Sequence, residues 1–230
     1  IIVALYPYIP HKYPFSSGMG YYSPHYSAYP QGREAISALS MLFLDKGYKA
    51  MIDPPLPMKE IAYRSGLGKF GKNDLIHNDA YGSLMTLHII LTNAELIVEK
   101  EDPGGISDCG NCRRCIEACP MNAIKDNGVV CISRCMRYHM MASDIIPIEV
   151  REKMGDRVLG CEDCQISCPR NHNLYKRAEK ASKKEQEVFN IKELLIDHVS
   201  GLKKHMKSIG DLVGKNYARP QRVLSMAVIA

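Results

Sequence analysis

Cys109-Gly-Asn-Cys112-Arg-Arg-Cys115-Ile-Glu-Ala-Cys119-Pro120 is the stretch on which the reading of this chain turns. Its spacing, Cys-x2-Cys-x2-Cys-x3-Cys-Pro, lets a tight loop aim three sulfurs at one centre, while the fourth reaches a neighbouring one. A shorter run, Cys161-x2-Cys164-x3-Cys168-Pro169, answers it downstream. Between the two lie Cys131 and Cys135, whose spacing would put both on one face of a helix. The chain holds nine cysteines, and two cubane [4Fe–4S] clusters take eight thiolates. The crossed pattern gives one cluster Cys109, Cys112, Cys115 and Cys168. The other takes Cys119, Cys161 and Cys164 with either Cys131 or Cys135. Zinc also uses Cys-x2-Cys pairs, but it has no need of a third cysteine two residues on or of a proline after each fourth one.

The bulk composition fits this reading. The chain has 230 residues, 46% of them apolar and 24% charged, which is ordinary for globular protein. Its net charge of +5 is mild and permits a polyanionic partner such as RNA. No apolar run approaches a membrane span. Cysteines used as metal ligands imply a reducing compartment, so a cytoplasmic location is expected. The chain opens on an apolar strand-like run without Met and closes on an apolar helix. The expectation is therefore that part of an N-terminal fold and a C-terminal extension lie beyond it.

Residues 1–5 read as a strand and residues 6–31 as a long loop with seven tyrosines and two histidines, long and aromatic enough to line a site. Ile36, Leu39, Leu42 and Phe43 recur at helical spacing in residues 33–46, and Gly47 would end that helix. A short strand at 48–52 leads into Asp53-Pro54-Pro55, and a second helix covers 58–65. Residues 84–91 form an apolar, β-rich run that reads as a central strand, with further strand at 96–98. Gly104-Gly105 marks a boundary. Beyond it the pattern gives a short helix at 112–118, a scrap of strand at 129–130, a helix at 131–142 and another from Pro147 to Gly155. The remainder is helical, with basic residues at 176–184 and at Lys203-Lys204, a helix at 190–199 capped by Asn190, and a last helix led by Pro220. The fold class expected is α+β: an α/β unit at 1–105, a ferredoxin-like double-cluster unit at 106–172 and an α-helical tail at 173–230.

The segment from Gly66 to Asn73, Gly-Leu-Gly-Lys-Phe-Gly-Lys-Asn, matches a dinucleotide fingerprint and most of a P-loop. Both need a strand directly before the glycines, and a helix-like segment stands there instead. Asn73 also occupies the place of the magnesium-binding Ser or Thr. The segment therefore reads either as a tight turn demanding positive φ or as a backbone-lined surface for some other large ligand.

Taken together, these residues resemble the epoxyqueuosine reductase family. The likeness is carried by the Asp53-led segment running into the Gly66–Asn73 turn, by Tyr81-Gly82-Ser83 and the strand after it, by the Cys109 run with Cys131-Ile132-Ser133, and by Gly160-Cys-Glu-Asp-Cys-Gln-Ile-Ser-Cys-Pro169. It covers about half the chain. The family's usual first-part pattern is absent from residues 21–31. The resemblance implies two [4Fe–4S] clusters and cobalamin, with Cys131 as the eighth ligand and Cys135 spare. It also implies Asp53 as general acid and Gly66, Gly68, Gly71, Lys72 and Asn73 as cofactor-binding residues. The implied substrate is epoxyqueuosine in tRNA, with electrons from a donor such as flavodoxin or ferredoxin. A small-molecule or corrinoid reductase, or a plain ferredoxin-type carrier, are the alternatives.

Overall fold

The computed structural model describes residues 1–12, 18–97, 104–142, 145–196 and 199–230. Its first half supplies β1 (Ile2–Pro7), β2 (Tyr21–Tyr22), α1 (His25–Leu44), β3 (Ala50–Ile52), α2 (Met58–Arg64), β4 (Lys69–Phe70), β5 (Ile76–His77) and β6 (Met85–Thr92). The main sheet is antiparallel in the order β1-β6-β3, with Ile90 of β6 facing Ile2 on one side and Ile52 on the other. Its two covered faces suit the largely apolar run of β6. Met85, Leu87, Val3 and Leu5 pack with Ala62 of α2, while His88 and Tyr6 lie under α1 at Gly32. A Cβ on Gly32 would stand 2.4 Å from His88 Nε2, so glycine there lets the helix lie against the sheet.

The long aromatic loop expected at 6–31 is shorter than the sequence suggests. Helix α1 begins at His25, eight residues before Arg33, and carries Pro30 inside it. Pro30 reads as a breaker because it lacks the amide donor of a helix interior. Packing overrides that cost: Tyr26, Ser27, Ala28 and Gly32 are buried. The stripe expected on this helix is only half inward, since Ile36 is buried whereas Leu39 and Leu42 are 38% and 58% exposed. The expected strand at 96–98 is not seen at 96–97, and Val98 lies outside the described residues.

Further on come α3 (Arg114–Glu117), a 3-10 turn at Ile132–Arg134, α4 (Met136–Met141), α5 (Ile148–Met154), β7 (Arg157–Leu159) and α6 (Asp163–Ile166). The chain then runs through α7 (His172–Tyr175), α8 (Lys183–Val188), α9 (Ile191–Ile196), α10 (Val199–Val213) and α11 (Pro220–Ile229). The single helix expected over 131–142 is corrected. Its backbone breaks at Cys135, which is extended at φ −68°, ψ 129°, and α4 starts only after it. Asn190 caps α9 as expected, its Oδ1 accepting from Glu193 N at 3.2 Å, whereas residues 197–198 of the helix expected there lie outside the described ones.

The larger apolar core joins all three sequence segments. Tyr22 and Tyr26 come from the first, Met136, Met140 and Met154 from the second, and Phe189, Leu194 and Ile209 from the tail. Strand β2 pairs in parallel with β7, which ties the first segment to the cysteine module through backbone as well. Among the described residues no helix is long and apolar enough to cross a membrane.

Candidate iron–sulfur centre and its surroundings

The two cysteine runs each fold as a turn leading into a short helix. Cys112 N donates to Cys109 O at 3.0 Å to close the first turn. Arg113 and Glu162, which precede α3 and α6, share nearly the same backbone angles, φ −124° with ψ 2° and 14°. Cys119 and Cys168 follow those short helices and cross over. Cys168 lines a cavity of about 120 Å³ with Cys109, Cys112 and Cys115. Cys119 lines one of about 130 Å³ with Cys135, Cys161 and Cys164.

Cys131 is the residue that the resemblance implies as completing the second set. Cys131 does not line that cavity; its Sγ lies 3.4 Å from Ser133 Oγ, and that contact draws its thiol below the usual range. Cys135 takes the place because the helix breaks there and turns its side chain inward.

Burial first, then the neighbouring thiols of Cys109, Cys168 and Cys112, push the Cys115 thiol up to about 11. Burial, then Asp163, pushes Cys161 up to about 12. Cys164 and Cys168 are raised by the same cause. Such thiols hold their protons at neutral pH, and metal must displace them to bind. No three His, Cys, Asp or Glu side chains among the described residues converge closely enough for a single metal ion. Four thiols line each of the two cavities, the number that a cubane [4Fe–4S] cluster takes.

The glycine turn backs this module. Lys72 Nζ donates to Gly110 O at 2.8 Å and Cys112 O at 3.0 Å, pinning the first cysteine loop. Asn73 lines both cavities. Gly66 has φ +72°, and a Cβ on Gly68 or Gly71 would stand 2.5 Å from an atom of His77. Gly66, Gly68, Gly71, Lys72 and Asn73 are the residues that the resemblance implies as cofactor-binding. The glycines permit close packing, and Lys72 and Asn73 face the cysteines.

Asp53 stands in a left-handed conformation, φ +46°, just after β3. Its side chain is 2% exposed. Oδ1 accepts from Ile89 N at 2.9 Å, and Oδ2 lies 3.0 Å from His88 Nδ1. Tyr29 Oη lies 3.5 Å from Oδ2, and the Arg33 guanidinium stands 3.8 Å away. His88 in turn meets Thr86 Oγ1 at 3.0 Å. His88 carried no sequence signal, because a lone histidine in an apolar strand reads as core.

Among the described tyrosines of the N-terminal segment, Tyr21, Tyr22 and Tyr26 are buried. Tyr21 Oη and Ser23 Oγ each donate to Glu162 at 2.7 Å, and Tyr8 Oη does so at 3.2 Å. Glu162 is buried between Cys161 and Cys164. Burial, then Glu162, raises Tyr8 and Tyr21 well above the usual tyrosine value. Arg137, beside the second cavity, donates to Tyr26 Oη at 3.2 Å and sits 5.2 Å from that ring's centre.

Residues 108–171 match the family described as the 4Fe-4S double cluster binding domain. An epoxyqueuosine reductase of Vibrio cholerae is 39% identical over 127 residues, 54% of this chain and 34% of that protein. The Bacillus subtilis epoxyqueuosine reductase, solved with its catalytic aspartate loop swung out of the active site, superimposes with a TM-score of 0.73 at 25% identity. An epoxyqueuosine reductase solved with an epoxyqueuosine-modified tRNA-Tyr stem loop gives 0.71 at 26% identity. Both structural matches cover 99% of this chain and 62% of theirs. The chain thus spans about a third of the curated relative and under two thirds of the solved ones. The chain is thus similar to epoxyqueuosine reductases over the stretches compared, and carries a match to the double [4Fe–4S] cluster binding domain at 108–171.

Proposed function

We propose that this chain is an oxidoreductase in which two [4Fe–4S] clusters relay single electrons toward the epoxide of epoxyqueuosine in tRNA. The observation that carries this is the pair of adjoining four-thiol cavities, Cys109/Cys112/Cys115/Cys168 and Cys119/Cys135/Cys161/Cys164, in a chain matched over 99% of its length by epoxyqueuosine reductase structures. Removing the epoxide oxygen as water takes two electrons and two protons, and each cluster passes one electron at a time. Cobalamin, which the family likeness implies, would supply the centre at which two electrons are gathered and the C–O bond is opened.

Asp53 is the group on this chain suited to protonate the leaving oxygen. In the buried arrangement its carboxylate is held by Ile89 N and His88, so its loop must move for the acid to reach substrate. The swung-out aspartate loop of the Bacillus subtilis relative supports such a motion. The strain of a left-handed, non-glycine residue is of a kind that favours a second loop state. Exposed basic residues at 176–177, at 183–184 and at Lys203-Lys204 suit tRNA phosphates, and a flavodoxin- or ferredoxin-type donor would reduce the clusters.

The test supplies the cluster-loaded protein with reductant, cobalamin and epoxyqueuosine-containing tRNA, then digests the RNA and looks for queuosine. Queuosine is expected from the unsubstituted protein and not from Asp53→Asn with clusters retained. No queuosine from fully loaded protein moves the reading to a small-molecule or corrinoid reductase, or to a ferredoxin-type carrier.

A further inference from the structure

Asn73 sits at the tip of the β4–β5 hairpin, 7% exposed, and its side chain lines both cysteine cavities. Its oxygen is committed. Asn73 Oδ1 faces Leu75 N at 3.4 Å and His77 Nε2 at 3.2 Å. Burial lowers His77 to about 4, so its ring is neutral near pH 7 and the Nε2–H tautomer serves as donor. With the carbonyl end fixed by two donors, the amide nitrogen must point the other way. There Asn73 Nδ2 is shut off from water and meets no acceptor among the described residues. Buried donors without partners are rare in folded proteins, and each calls for a reason.

Gly71 shows how tightly this amide is seated. A Cβ at that position would stand 2.6 Å from Asn73 Oδ1 and 2.5 Å from His77 Nε2. The acceptors that occupy the two cavities once they are filled are sulfurs, both the inorganic sulfides and the cysteine thiolates.

We propose that Asn73 is a hydrogen-bond donor shared by the two iron–sulfur clusters, its two N–H groups directed at sulfur on either side. Such bonds stabilise the more negative, reduced cluster, and hydrogen bonds to the sulfurs are among the factors that set cluster potentials. The residue would thereby hold both potentials up and keep the two cubanes matched for electron passage. This rests on the double-cluster reading and assigns a function to the part of the glycine turn that the nucleotide motifs do not explain.

The experiment reconstitutes the unsubstituted protein, Asn73→Leu and Asn73→Asp anaerobically, counts iron, and titrates the clusters by EPR against potential. Iron should stay at about eight per chain, the two-cubane count. Asn73→Leu should make reduction of one or both clusters about tenfold less favourable, about 59 mV more negative for a one-electron couple. Asn73→Asp keeps an acceptor for Leu75 N and His77 but replaces the donor with a carboxylate, and should shift the potentials at least as far. Unchanged potentials at full iron content would overturn the proposal. A purely structural role predicts iron loss without a shift in whatever cluster remains. Should neither variant load, reduced unsubstituted protein labelled with ¹⁵N-asparagine provides the second readout: nitrogen coupling to the cluster spin by ENDOR is expected, and its absence overturns the assignment. Unsubstituted protein that takes up no cluster iron would instead sink the underlying double-cluster reading.

Discussion

Cys135 and Cys131 are chemically alike, four residues apart, and opposite in position. Cys135 lines a cavity with three other thiols, whereas Cys131 meets Ser133 outside it. Cys135→Ser should therefore lower iron from about eight to about four per chain, the loss of one cubane, while Cys131→Ser should leave it unchanged; iron assay after anaerobic reconstitution decides. Asp53 gives the second prediction at this scale. Removing its carboxylate leaves buried His88 and the Ile89 amide without their acceptor. Asp53→Ala should cost about 2–3 kcal/mol of stability, the penalty for stranded buried donors, measured by urea unfolding. Asp53→Asn, which keeps the shape, should cost less.

Helix α8 shows how one element anchors the tail. Ser182 and Glu185 form a capping box, each bonding the other's backbone amide. The same Glu185 carboxylate accepts from Tyr22 Oη and lies 3.4 Å from His11 Nε2. Burial alone would raise its pKa, but the bonds from His11, Tyr22 and Ser182 outweigh it and bring the carboxyl down to about 2. A carboxyl depressed on folding stabilises the fold above its unfolded pKa of about 4.3. That contribution fades as pH falls from about 4 toward 2. Its size is on the order of 2 kcal/mol after allowance for partial solvent access. Glu185→Gln should accordingly lower stability at pH 7 by about that much and flatten the pH dependence of unfolding between 4 and 2, as followed by circular dichroism.

For the whole molecule, the consequence is cooperativity. The larger core takes Tyr22 and Tyr26, then Met136 and Met154, then Phe189 and Ile209, from segments far apart in sequence. Tyr22 stacks on Phe189 with ring centres 4.2 Å apart. A fragment of residues 106–172 would lose most of that core's partners, and a domain of its size is marginal even when complete. It should fail to give dispersed amide signals by NMR after reconstitution with iron and sulfide, whereas the full chain should unfold in one transition.

Local signals were enough to read much of this protein. Cysteine spacing alone led to two crossed clusters, because a tight loop leaves closely spaced sulfurs few other centres to share. The apolar run of β6, the Pro220 and Asn190 helix starts and the turn at Gly66 were legible for the same reason: each depends on residues within a few positions. What the tertiary structure decided involves partners distant in sequence. Pro30 lies inside α1 because Tyr26 and Gly32 are buried against other segments, an energy that outweighs local helix propensity. Cys135 rather than Cys131 faces Cys119, Cys161 and Cys164 because the backbone breaks at that residue. Lys72 and Asn73 turn toward loops some forty residues away. The Asp53–His88 contact spans 35 positions, and only the pairing of β3 with β6 brings those two side chains together.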